Sequence, residues 1–216
     1  MTNILYINAS ARKHGSLSRM LGDRFVNGWT GRDGVGDVRH RDVGTNPPPI
    51  ISEDWIAAAF TPRAERNGAQ HEMLALSDQL ISEVSQADVI VIATPMYNYG
   101  MPGALKAWVD QVVRVNETFT FDLARGDYPL EPVLSGKTLV LLTSSGEFGF
   151  AQGGTREEMG HLVPHLTTVS KYLGAEQIHS VSIEYQEFGD ARHSRSIATA
   201  KEQVDELLKD LSHAAA

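Results

Sequence analysis

Three stretches of near-continuous apolar residues stand out at strand length: Ile4-Leu5-Tyr6-Ile7, Val89-Ile90-Val91-Ile92-Ala93 and Leu139-Val140-Leu141-Leu142. A strand with one wet face alternates apolar and polar side chains. A run without alternation predicts burial on both faces, as in a parallel sheet covered by helices on either side. Two strands with weaker patterning are predicted over 38–43, where apolar residues alternate with Arg and His, and over 178–185, where Ile178, Val181 and Ile183 sit among polar positions. Helical spacing fills the gaps. Over 18–29 it puts Met20, Leu21, Phe25, Val26 and Trp29 on one face, and over 71–84 it does the same for Met73, Leu74, Leu76, Leu80, Ile81 and Val84. Segments 104–115, 159–173 and 197–211 read likewise, with Gly174 as a helix stop. Strand and helix alternate five times. This predicts one domain over 1–216, an α/β fold with an open, doubly wound five-stranded parallel sheet and helices on both faces.

Two segments interrupt the alternation. Residues 44–66 contain Pro47-Pro48-Pro49 and Pro62, so an irregular excursion with a short helix near 55–60 is expected. Residues 116–135 carry Thr118-Phe119-Thr120-Phe121 and then Gly126, Pro129 and Pro132, a strand-like flap. The alanines at 214–216 read as a frayed end. Composition narrows the chemistry. With 42% hydrophobic and 21% charged residues the chain can build a sizeable core. It has no cysteine, which excludes disulfides, thiolate zinc sites, cysteine nucleophiles and dithiol motifs, so redox chemistry requires a bound group. Nineteen basic against 27 acidic side chains give a net charge of −8, with no basic stripe for nucleic acid. No apolar stretch approaches the roughly 18 residues of a membrane span. No basic segment precedes the first apolar run, and the expectation is a cytoplasmic protein without membrane or nucleic-acid partners.

An open parallel sheet binds ligands beyond the carboxyl ends of its strands, and three loops there are unusual. The first, Asn8 to Ser18, is neither a dinucleotide fingerprint nor a Walker loop; it offers Ser10, Ser16, Ser18, Gly15 and the free N–H groups of a helix start, a combination suited to a monophosphate. Ordinary N-capping by Ser16 or Ser18 also accounts for the serines. The second, Pro95-Met96-Tyr97-Asn98-Tyr99-Gly100-Met101-Pro102, is bracketed by prolines, with Gly100 expected to permit the turn. A planar ligand stacked on Met96 or Tyr97 and hydrogen-bonded by Asn98 fits it, against core packing as the plain alternative. The third, Thr143 to Gly154, is long and glycine-rich, either wrapping a ligand edge or forming a surface connection. His161 and His165 stand four apart on a predicted helix, but no third ligand accompanies them, and no metal site is expected.

These residues carry a family resemblance. The Ser10, Ser16 and Ser18 loop, Pro95-Met96-Tyr97-Asn98-Tyr99, the Thr118 to Phe121 flap, Gly136-Lys137 and Thr143-Ser144-Ser145-Gly146 resemble the FMN-dependent NADH:quinone oxidoreductases of the bacterial azoreductase type, which have a flavodoxin-like fold. The resemblance implies that Ser10, Ser16, Leu17 and Ser18 cradle the FMN phosphate. It implies that Met96, Tyr97, Asn98 and Tyr99 line the isoalloxazine ring and that Ser144, Ser145, Gly146 and Glu147 close on its pyrimidine side. It also implies a homodimer in which Phe119 and Phe121 help form the substrate pocket. NADH would give a hydride to the flavin, and a quinone or azo compound would then take the electrons in the same slot, with no side chain strictly catalytic. Two positions depart from the common pattern: Ser145 stands where many relatives carry Arg, and Glu147 where many carry Gly. An ionised Glu147 would oppose a reduced flavin, so it is expected to point away. The alternatives are a flavodoxin-like FMN electron carrier, an NADPH-dependent reductase of nitroaromatics or metals, and a domain with no ligand.

Overall fold

The structure, a computed structural model, describes residues 1–31 and 35–214. In chain order these form β1 (Thr2–Asn8), α1 (Leu17–Thr30), β2 (Val35–Asp42), α2 (Glu53–Phe60), α3 (Gly68–Gln86), β3 (Val89–Pro95) and α4 (Gly103–Val112). A hairpin of β4 (Phe119–Phe121) and β5 (Leu130–Pro132) follows, then β6 (Lys137–Ser144), α5 (Leu162–Ser170), β7 (Ala175–Ile183) and α6 (Ala191–Ala214). The helix α6 takes in Ala214, where fraying was expected; Ala215 and Ala216 lie outside the described residues.

The five long strands are parallel in the order β2-β1-β3-β6-β7. Successive residues of the central strands serve opposite faces, which explains their unbroken hydrophobicity. Leu5 and Ile7, Ile90 and Ile92, Leu139 and Leu141 pack with α3, α4 and α5 through Leu80, Val84, Trp108, Val112, Leu162 and Leu166. Ile4 and Tyr6, Val89 and Val91, Val140 and Leu142 pack with α1 and α6 through Leu21, Phe25, Val204 and Leu208. The chain runs outward from β1 to β2 and then returns to β3, so the winding direction reverses between β1 and β3. The crevice of a doubly wound sheet opens at that reversal, above the carboxyl ends of the strands.

Several boundaries differ from the periodicity. The residues 159–161 lie outside α5, which starts only at Leu162, because Pro164 favours a first-turn position. The helix α4 stops at Val112 instead of 115: the buried Thr118 hydroxyl accepts from Arg114 N (2.9 Å) and donates to the Val112 carbonyl (3.0 Å), which turns the chain. The excursion after β2 holds α2, capped by Ser52 and packed on α3 through Trp55, Ala58, Ala59 and Leu74. At the start of β6 the buried Lys137 donates to the carbonyls of Ser85 (2.9 Å) and Ala87 (2.6 Å) at the end of α3, and burial pushes its ammonium pKa below the usual lysine value.

Candidate functional site

The first loop leaves β1 at Asn8 and enters α1 with Ser16 as N-cap, its Oγ accepting from Arg19 N (3.4 Å). The first turn of a helix leaves the Leu17 and Ser18 N–H groups without an intrahelical acceptor. Gly15 sits at φ +66°, with no atom within 4 Å of where a Cβ would stand, so the backbone turns openly over the helix start. Ser10 accepts from Arg12 N (3.2 Å). Ser18 is fully buried, its hydroxyl 3.3 Å from that of Ser16. The loop is held from beneath by Arg19, whose guanidinium donates to the carbonyls of Ser10 (2.6 Å) and Arg12 (2.8 Å) and to both carboxylate oxygens of Asp42. Burial works against the Asp42 carboxylate, but hydrogen bonds from Arg19 and Thr45 outweigh it and hold the pKa below the ordinary value. The loop after β2 comes so close to the first loop that a Cβ on Gly44 would collide with the Ser10 carbonyl.

In the second loop, Tyr97 and Gly100 exchange both backbone hydrogen bonds (3.0 Å each), leaving Asn98 (φ +47°) and Tyr99 (φ +65°) as the two left-handed residues of a tight turn. The permissive residue expected here was Gly100, but it is not among the positive-φ glycines; the strain falls on Asn98 and Tyr99. Asparagine tolerates that region, and a tyrosine there is uncommon. Tyr99 is fixed by its carbonyl, which accepts from His161 N (2.8 Å), by its edge against Phe150, and by its hydroxyl, which donates to Glu147 Oε2 (3.0 Å). That hydrogen bond raises the phenol pKa above its usual value.

The third loop docks on the second, since Met96 N donates to the Ser144 carbonyl (2.7 Å). It continues alongside the segment after β7: Ser145 N donates to the Ile183 carbonyl, and Tyr185, Gln186 and Glu187 N–H groups donate to the carbonyls of Glu147, Ser145 and Gly146. Ser145 turns its hydroxyl back onto the Glu147 carbonyl (2.9 Å). The Glu147 carboxylate lies between Tyr99 and Arg156, whose Nε is 3.4 Å from Oε1. Phe148 stacks on Tyr185 at 4.4 Å, with Arg156 over the Phe148 ring and Arg192 over Tyr185 and Phe188.

Together the loops enclose two adjoining hollows beyond β1, β3 and β6. One is lined by Ser10, Arg12, Gly15, Ser16, Leu17, Met96, Tyr97, Ser144, Ser145 and Gly146; the other, by Met96, Asn98, Tyr99, Ser145, Gly146, Glu147 and Phe150. They share Met96, Ser145, Gly146 and Glu187, so a helix start with free N–H groups leads into an aromatic and glycine-rich end. Of the residues singled out by sequence, Ser18 lies under the loop instead of on the wall. Phe119 and Phe121 are not brought to the cleft. The β4–β5 hairpin leaves the end of α4 and leads into the start of β6, and Phe119 packs on Tyr172 just before β7. That places it at the amino ends of the strands. Gln186 and Glu187 line the cleft without having been singled out, and a Cβ on Gly146 would come within 2.6 Å of the Glu187 Cγ. Their segment is polar and has no motif; only the pairing of the third loop with the chain after β7 brings them there. His161 lies outside α5, at its N-cap, and among the described residues no group of three or more His, Cys, Asp or Glu is placed to hold a metal. No helix among the described residues is long and apolar enough to cross a membrane.

A family model for the flavodoxin-like fold matches residues 2–208. Two curated relatives named "FMN-dependent NADH:quinone oxidoreductase 2" are each 54% identical to the chain. The one from Idiomarina loihiensis aligns with 98% of this chain and 91% of its own, and the one from Colwellia psychrerythraea with 98% and 100%. In three dimensions the chain is similar to the solved structure of an FMN-dependent NADH-azoreductase from Bacillus anthracis in complex with FMN. The TM-score is 0.84 at 18% identity, over 98% of this chain and 99% of that one, a likeness of fold.

Proposed function

The chain belongs to the flavodoxin-like family of FMN-dependent NADH:quinone oxidoreductases, and from that premise we propose that it binds FMN in the cleft above β1, β3 and β6 and reduces quinones at the expense of NADH. The observation that supports this best is the joining of a phosphate-suited helix start to an aromatic, glycine-rich hollow at the topological reversal of the sheet.

The donor set fits the cofactor. Ser10 and Ser16 hydroxyls, the Leu17 and Ser18 N–H groups and the open backbone at Gly15 suit a phosphate, with Arg12 the cation on the wall. Hydroxyls and amides aided by the helix dipole hold an anion without a basic patch, which reconciles the −8 charge with a phosphate ligand. Met96 to Tyr99 would lie against the isoalloxazine ring, and the Ser144 to Glu147 loop along its polar edge. FMN, when bound there, would supply two-electron chemistry between NADH and the acceptor. The side chains bind and orient; none is assigned a proton-transfer role. Azo compounds are a second acceptor class.

We further propose that two copies pair. Phe121, Leu123, Tyr128, Leu130 and Val133 of the flap segment are all exposed, and a hairpin remote from its own cleft can supply Phe119 and Phe121 only to the cleft of another copy. The visible spectrum of the purified protein tests the cofactor, with flavin absorption expected. Anaerobic mixing with NADH, then NADPH, followed by a benzoquinone and an azo dye, tests the reaction. Direct bleaching by the nicotinamide is expected; a flavin that stays oxidised without a separate reductase would favour the electron carrier instead.

A further inference from the structure

Glu147 is an anion placed by the third loop at the end of the cleft where, on the reading above, the flavin ring lies. Two contacts restrain it. Tyr99, from the left-handed turn of the second loop, donates its hydroxyl to Oε2 (3.0 Å), and the Arg156 guanidinium lies 3.4 Å from Oε1. Arg156 is not a loose surface charge. Its ring contact on Phe148 (4.4 Å), the stacking of Phe148 on Tyr185, and its hydrogen bonds to the carbonyls of Phe148 (Nη1, 3.3 Å) and Gly149 (backbone N, 2.8 Å) fix the guanidinium on the third loop. The Arg156 side chain is 27% exposed and that of Glu147 is 37% exposed, so solvent screens the pair only in part.

We propose that Tyr99, Glu147 and Arg156 form a clasp across the ring end of the cleft, in which Arg156 is a positioning residue that cancels the Glu147 charge and so keeps the cleft tolerant of a reduced, anionic flavin. Without the arginine, the carboxylate would raise the energy of an added negative charge nearby while leaving a neutral ring almost unaffected. The tyrosine hydroxyl, a donor only to Glu147, holds the carboxylate on the rim. The clasp rests on the FMN reading of the cleft, and its signature is a difference between two binding constants of the holoprotein.

The experiment measures dissociation constants of oxidised and of reduced FMN for the full chain, by flavin fluorescence and by anaerobic titration. In Arg156→Gln the ratio of the reduced to the oxidised constant is expected to rise about fivefold, the order of effect of one uncompensated charge in a partly wet site. Glu147→Gln combined with Arg156→Gln should return the ratio to within about twofold of wild type, and Arg156→Lys, which keeps the charge and guards against a folding defect, should stay within the same range. An unchanged ratio in Arg156→Gln, a double variant that fails to restore it, or Arg156→Lys behaving like Arg156→Gln each overturns the clasp. A wild-type chain that takes up no FMN overturns the reading of the cleft itself, and the clasp with it.

Discussion

The Arg19 guanidinium, in the first turn of α1, joins the Ser10 and Arg12 carbonyls to Asp42 at the end of β2 through four hydrogen bonds. Its rigid planar fork suits that task in a way a lysine would not. Arg19→Met should therefore lower stability by about 2 kcal/mol in urea unfolding and weaken FMN binding at least about tenfold by flavin fluorescence; an FMN affinity unchanged within error would show that the loop keeps its shape unaided. The partner carboxylate gives a pH test. Because the folded Asp42 pKa lies below its unfolded value, the stability it contributes is present above the ordinary carboxylate pKa and disappears as pH falls through the folded value. Wild type should thus exceed Asp42→Asn in urea midpoint at about pH 7 and lose that advantage progressively as the pH is taken below the ordinary carboxylate range, through the lowered folded value. The serines that face the cleft were legible from their place between a strand and a helix. Arg19 was not, because its partners are backbone carbonyls and a carboxylate 23 positions away, contacts that leave no pattern along the chain.

Elements were legible where burial alone sets the pattern. The central strands needed no tertiary knowledge, since helices on both faces demand unbroken apolar runs and β1, β3 and β6 supply them. Boundaries failed where a distant polar group ends an element, as Thr118 does for α4, and the turn of the second loop was assigned to its glycine when neighbouring loops hold Asn98 and Tyr99 left-handed instead. The proline-rich excursion after β2 shows how such segments are tied down. Gln111 on α4 accepts from Trp55 Nε1 (3.1 Å) and donates to the Pro49 carbonyl (3.0 Å), so one buried amide anchors both α2 and the proline run before it. Replacing it by leucine strands an indole N–H and a carbonyl. Gln111→Leu is expected to cost about 2 kcal/mol in urea unfolding and to shift the Trp55 emission as its hydrogen bond is lost. A shift without a stability loss would mean that the excursion is held by Trp55 packing alone.

At the scale of the molecule, the cleft and the flap occupy opposite ends of one sheet. The apolar groups that the flap exposes, Leu123 at 73% and Tyr128 at 86%, have no role in a lone chain. Single exposed hydrophobes are common on any surface, but several on one hairpin mark a surface to be covered. A second copy related by a two-fold axis would set the flap of each chain against the cleft end of the other, covering both flaps at once, because in a self-complementary interface the same pair of surfaces meets twice. Because these side chains are already in solvent, changing them should leave the fold of each chain almost untouched. If the chain pairs as proposed, Leu123→Ser with Tyr128→Ser is expected to shift its sedimentation from dimer toward monomer, raising the dimer dissociation constant at least about tenfold, while urea unfolding of the monomeric species changes by less than about 0.5 kcal/mol. FMN should still bind through the first loop of each chain, but turnover with quinone should fall as the dimer dissociates. A wild-type chain that sediments as a monomer and still reduces quinone would remove the flap from the substrate site altogether.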